Sequence, residues 1–76
     1  MNYKQIYFKH YSYVKEDIIL CEVCNAVAVD IHHIKYKSRG GGDDIENLIA
    51  LCRSCHNKAH DEKLSEKQLL RIHELK

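Results

Sequence analysis

Two sets of residues stand at spacings that hold metal ions. Cys21 and Cys24 form one Cys-x-x-Cys pair, and Cys52 and Cys55 form a second. Four thiolates around zinc make a closed tetrahedron, so a site of this kind is structural. Two disulfides are the rival pairing. The other set is His32, His33, His56 and His60. Residues four apart on a helix share a face, with Cβ atoms roughly 5–6 Å apart, so His56 and His60 can grip one ion. His32 can close that set from the preceding segment. Three neutral imidazoles leave coordination positions open to water and substrate, as a catalytic ion requires. A chance pair of surface histidines is the bland alternative, and the His-His pair one short hairpin away weighs against it. Asn57 stands where a His-Glu-x-x-His zinc protease needs its glutamate, so that chemistry is excluded.

These sets must be positioned by a small chain. Seventy-six residues make one domain, 1–76, with a core expected at about 21–62. Residues 1–20 are expected to support it from the N-terminal side. A chain this short buries little apolar surface and is usually marginal without a staple, and bound zinc would be one. The stretch MNYKQIYFKHYSYVKED is charged and has no apolar signal region, and no apolar run approaches the ~20 residues that span a bilayer. A cytoplasmic location is therefore expected, where thiols stay reduced and paired cysteines bind metal. The formal net charge is +1, which does not mark a nucleic-acid binder. Lys35, Lys37 and Arg39 do form a run free of acids, followed by Asp43, Asp44 and Glu46. By charge alone this is a solvated loop.

Tyr3, Ile6 or Tyr7, Tyr11 and Val14 fit a helical stripe, with the aromatics covering the core rather than stacking on bases. His10 is expected at the surface. Ile18 to Leu20 leads into the Cys-Glu-Val-Cys turn. Val27, Val29 and Ile31 alternate with Ala28, Asp30 and His32, which predicts a strand over 26–34. Gly40-Gly41-Gly42 enforces a loop over 35–44. Leu48 to Leu51 reads as a second strand, antiparallel to the first. A helix is expected from Arg53 to about Asp61 with Ser54 as its cap. A final helix, about 65–75, is signed by Ser65 and Gln68 as a capping box and by Leu64 and Leu69 as a hydrophobic staple. Leu69, Leu70, Ile72 and Leu75 would form its apolar side. His73 has no expected chemical role.

Taken together, His32-His33-Ile34, the Gly-Gly-x-Asp loop, Asn47-Leu48 and Leu51-Cys52-x-x-Cys55-His56-x-x-x-His60 resemble the HNH endonucleases, also called ββα-metal or His-Me finger nucleases, in their four-cysteine zinc subgroup. The resemblance implies an α+β fold. Its centre is a small ββα-metal core, a two-stranded antiparallel ribbon plus a helix, with a structural zinc and flanking helices. It implies that His32, His56 and His60 ligate one catalytic divalent cation. It implies that His33 is the general base, that Asn47 braces the loop carrying the base, and that Cys21, Cys24, Cys52 and Cys55 hold zinc. Neighbouring residues of a regular strand face opposite ways, so His32 and His33 can share a site only where the strand ends or twists.

The implied activity is metal-dependent hydrolysis of DNA phosphodiesters, leaving 5′-phosphate and 3′-hydroxyl. In that setting Lys35, Lys37, Arg39 and Arg53 become candidate phosphate contacts. Three imidazoles suit Zn, Ni or Mn, and Mg less naturally. DNA is the expected partner, with no membrane. Targeting would come from a protein partner, self-association or DNA shape, because the core and its supports use the whole length. A phage or mobile-element origin would suit the family. Two other readings compete: a catalytically inactive zinc-stabilised nucleic-acid-binding module, and a purely structural zinc domain.

Overall fold

The computed structural model describes residues 2–14, 17–36 and 40–75. The chain runs helix α1 (Tyr3–His10), strand β1 (Asp30–His33), a 3-10 turn (Ile45–Asn47), strand β2 (Leu48–Leu51), helix α2 (Arg53–His60) and helix α3 (Glu66–Glu74). β1 and β2 pair antiparallel, with Asp30 opposite Leu51 and His33 opposite Leu48. The fold is therefore the expected α+β ribbon and helix with flanking helices. Among the described residues no helix is long and apolar enough to cross a membrane.

The ribbon separates two small cores because side chains alternate across it. On one face Ile34, Ile49 and Leu51 pack with Cys21, Cys52, Cys55, Ala59 of α2 and Leu69 of α3. On the other, Ile31, Leu48 and Ala50 pack with Tyr7, and Tyr3, Ile6 and Tyr11 lie against them. All four residues of β2 are buried, since both faces of that strand are covered. His32 and His33 thus point to opposite faces, and β1 ends at His33.

Several boundaries differ from expectation. The strand predicted over 26–34 is regular only over Asp30–His33. Val27 instead makes a single bridge with Leu20, which pulls the start of the segment away from β2. Val27 and Val29 are consequently exposed. α1 stops at His10, before the stripe reaches Val14, because Ser12 adopts a left-handed φ of 59°. Its start is set by a reciprocal capping box between Asn2 and Gln5 that the reading did not identify. α2 is capped by Cys52, not Ser54: the Cys52 sulfur accepts from the Cys55 N–H at 3.4 Å. The Ser65–Gln68 capping box is present as expected. Of the four residues expected on its apolar side, however, only Leu69 is buried and Ile72 half-buried, while Leu70 and Leu75 are exposed.

His73 is the larger departure. It is buried, and its Nδ1 lies 2.7 Å from Glu22 Oε1 while its Nε2 donates to the Ile45 carbonyl at 2.8 Å. Glu22 Oε2 in turn accepts from the Tyr7 hydroxyl at 2.6 Å and the Ala50 N–H at 3.2 Å. One carboxylate thus ties α1, the cysteine turn, β2 and α3 together. Burial and that carboxylate push the Tyr7 hydroxyl well above the ordinary phenol range, so it stays a donor. Removing one member of a buried polar pair strands its partner, which typically costs about 3–5 kcal/mol. His73→Ala is expected to lower stability by roughly that amount in urea unfolding with zinc in excess, with zinc content unchanged. A loss under about 1 kcal/mol would show that the network contributes little.

Candidate metal centres and their surroundings

The turn after Leu20 and the start of α2 bring four sulfurs together. Cys24 Sγ lies 3.6 Å from Cys52 Sγ and 3.7 Å from Cys55 Sγ. All four Sγ atoms, Cys21 included, fall within 4.8 Å of one another. A tetrahedron with ~2.3 Å Zn–S bonds has edges of about 3.8 Å, so the spacing fits zinc. It is far too long for a disulfide, which needs about 2.04 Å, and the four cysteines are free. The Cys55 N–H, with other sulfurs nearby, draws the Cys52 thiol down to about 7, whereas burial pushes Cys55 up. Without a cation these thiols cannot all ionise together; a divalent cation removes that conflict. The cluster is suited to a structural zinc that joins the N-terminal turn to α2.

The second cluster sits where β1 faces α2. One ring nitrogen from each of His32, His56 and His60 can be chosen so that all lie within 4.8 Å of one another. The Nε2 atoms of His56 and His60 are 3.1 Å apart. Tetrahedral Zn–N bonds of ~2.0–2.1 Å give an edge of about 3.3–3.4 Å, so this spacing also fits a metal. His56 Nδ1 donates to Asp30 Oδ2 at 2.8 Å, which leaves its Nε2 lone pair turned to His60. A carboxylate behind a ligating imidazole is the usual device for fixing tautomer and ring angle. Burial, with help from His56, His60 and His33, pushes His32 down to about 4, so its imidazole is neutral at pH 7. Neutral imidazole is the ligating form. The Tyr36 ring stacks on His60 with centroids 6.1 Å apart and planes 18° apart. A cleft of about 570 Å³ opens beside His32, between Tyr36 and the start of α3.

His33 lies outside that group of three. It ends β1 on the opposite face, with Nε2 2.8 Å from Asp43 Oδ1 and its ring 4.5 Å from that of Tyr3. Asn47 ties the intervening loop shut. Its Oδ1 accepts from the Lys35 N–H at 2.8 Å, and its Nδ2 donates to the carbonyls of Lys35 at 3.0 Å and Gly42 at 2.8 Å. Gly41 is packed so closely that a Cβ there would collide with the Lys35 carbonyl.

Of the candidate basic residues, Lys35 is exposed at the mouth of this loop. Arg53, also exposed, reaches Asp30 Oδ2 at 3.5 Å. An exposed pair of this kind is worth little and leaves the guanidinium available to solvent. Lys37 and Arg39 lie outside the described residues.

The sequence reading missed Asp30, Asp43, Tyr36 and Tyr3 as neighbours of the histidines. Asp30 was accessible to it, since residues two apart on a strand share a face and His32 was already assigned. The other three contacts leave no local periodic signal.

A family model described as HNH endonuclease matches residues 21–62. The chain is also similar to anaredoxin of Nostoc sp., 44% identical over 46 residues, covering 58% of this chain and 60% of the relative. It is 32% identical over 63 residues to the type IV methyl-directed restriction enzyme EcoKMcrA of Escherichia coli, covering 70% of this chain and 22% of that enzyme. A mitochondrial DNA mismatch repair protein mutS homolog of Sarcophyton glaucum is 39% identical over 51 residues, covering 59% of this chain and 5% of that protein. The chain therefore spans less than two thirds of each of these relatives. No solved structure matches it.

Proposed function

Since the chain belongs to the HNH endonuclease family, we propose that it is a metal-dependent DNA endonuclease that hydrolyses phosphodiester bonds to 5′-phosphate and 3′-hydroxyl ends. The observation that carries this reading is the three-imidazole cluster. Its ligand atoms lie within 4.8 Å of one another, and Asp30 fixes the tautomer of His56. A structural domain gains nothing from a second, open set of ligands beside a closed four-thiolate one.

A divalent cation held by His32, His56 and His60 would supply Lewis-acid stabilisation of charge at the phosphate and the departing oxygen. The rest falls to side chains. His33 takes the proton from the attacking water as that oxygen bonds to phosphorus. The bond to the 3′ oxygen breaks, and that oxygen leaves with the electron pair and is protonated from solvent. Asn47 holds the loop between His33 and β2 closed, so that the base and its neighbours keep their places. Lys35, Lys37, Arg39 and Arg53 bind flanking phosphates and orient the strand. The domain occupies 1–76, and the protein partner, second copy or DNA shape that directs it lies outside these contacts. Support from relatives is consistent in kind: EcoKMcrA is a restriction enzyme.

The test is nicking of supercoiled plasmid with Mg, Mn, Ni or Zn supplied separately, followed by ligase. Nicks that form only with metal and that ligase reseals are expected. Absence of nicking with every metal, together with a metal-independent gel shift, would leave the inactive binding module as the better reading. Phosphate contacts also predict a salt response. Lys35→Ala/Arg39→Ala should weaken binding to all sequences alike and make the log affinity–log salt slope shallower by about 2. An unchanged slope would remove these two residues from the interface.

A further inference from the structure

His33 is held from two sides by residues that belong to neither metal cluster. Its Nε2 lies 2.8 Å from Asp43 Oδ1, and its ring meets Tyr3 of α1 at 4.5 Å between centroids and 55° between planes. An ionised carboxylate only accepts hydrogen bonds, so the ring nitrogen that faces Asp43 carries a proton. Among the described residues Nδ1 has no hydrogen-bond partner. No buried side-chain nitrogen or oxygen lacks one either, so Nδ1 must reach solvent. One nitrogen is therefore committed to protein, and the other keeps a lone pair open to water.

We propose that Asp43 is a positioning residue for hydrolysis: its carboxylate locks His33 in the Nε2–H form and so makes Nδ1 the atom that takes the proton from water. Tyr3 keeps the ring from swinging out of that bond. This rests on the nuclease reading of the site. The lock is well anchored. Asp43 follows Gly42, whose carbonyl accepts from Asn47. Gly41 is seated against the Lys35 backbone, with its N–H bonded to the Tyr36 carbonyl at 3.0 Å. The carboxylate is thus carried on a braced loop rather than a free one. Tyr3 lies outside residues 21–62, so α1 would do more than cover the core: it would contribute a wall of the site.

The experiment compares wild type, Asp43→Asn and Asp43→Glu, all loaded with zinc. Long-range ¹⁵N NMR should find His33 of the wild type as the Nε2–H tautomer. Asp43→Asn should lose that preference, because an amide NH₂ can donate to Nε2. Its kcat for plasmid nicking should fall about 10–100-fold, part of the 10²–10⁴ that a positioned acid-base group supplies. Its KM for DNA should stay within about twofold, and it should still bind two metal ions. Asp43→Glu should regain part of kcat. A wild-type His33 in the Nδ1–H form, or an Asp43→Asn protein with wild-type tautomer and kcat, would overturn the proposal. If the wild type nicks no DNA with any metal, the nuclease reading fails, and the wild-type tautomer still decides whether Asp43 sets His33.

Discussion

Replacing His33 by alanine is expected to slow plasmid nicking by about 10²–10⁴-fold while leaving metal content unchanged. His33 is not among the three imidazoles whose nitrogens converge, and it projects from the other face of the ribbon. Under the proposed mechanism its loss therefore removes the group that accepts a proton from water but none of the proposed ligands. Its neighbours Tyr3 and Asp43 are partly exposed, so the fold should tolerate the change. Excess metal should not restore the rate, whereas free imidazole should restore part of it. His56→Ala should behave in the opposite way. It removes a proposed ligand whose ring Asp30 holds in place, so the second ion should bind weakly and added metal should recover some activity. Calorimetric stoichiometry and nicking rate, measured on both variants, separate the two roles. If His33→Ala lost the second ion and His32→Ala kept it, the assignments within the His-His pair would be reversed.

Loss of zinc should have the largest effect on the fold. Three of the four cysteines are buried members of the larger core, beside Ile34, Ile49, Leu51 and Leu69. Cys52 is also the N-cap of α2. Structural zinc sites contribute about 10–16 kcal/mol of apparent free energy in small domains. A core of this size rarely supplies more than about 3–5 kcal/mol. Chelation, or Cys24→Ser, should therefore abolish cooperative melting by circular dichroism. Because α2 carries His56 and His60, the histidine cluster should be lost with it. A Cys24→Ser protein that kept one tight zinc and the wild-type melting curve would contradict this role for the cluster.

What could be read from the sequence was local or periodic. β2 lies where its unbroken apolar run, Leu48 to Leu51, placed it. α3 starts at the predicted Ser65 cap because capping is a three-residue signal. The two Cys-x-x-Cys pairs and His56-x-x-x-His60 are recognisable because each pair comes from one turn or one helix face. The contacts that organise the site are of another kind. Asp30 and His56 are 26 residues apart, and Glu22 and His73 are 51 apart. Such pairs exist only once the ribbon has brought α1, α2 and α3 together, so no window of sequence contains them. The shortened β1 has the same cause. Val27 and Val29 alternate properly for a strand, but tertiary pairing with Leu20 diverts the chain there. Cys52 replaced Ser54 as cap because the sulfur lies one residue before α2, where its lone pairs face the free N–H groups.

The central claim is that one ion, held by three imidazoles and served by His33 as the base, makes this domain a nuclease. The most direct measurement starts from protein carrying a single equivalent of zinc, which the four thiolates should take first as the softer site. Nicking of supercoiled plasmid is then followed as a second metal, Mn, Ni or Zn, is added. The rate should be negligible at the start, rise with the second ion and saturate, and it should stay flat in a His56→Ala/His60→Ala protein that still holds its zinc. A rate that did not respond to the second metal, or that rose equally in the double variant, would contradict the claim.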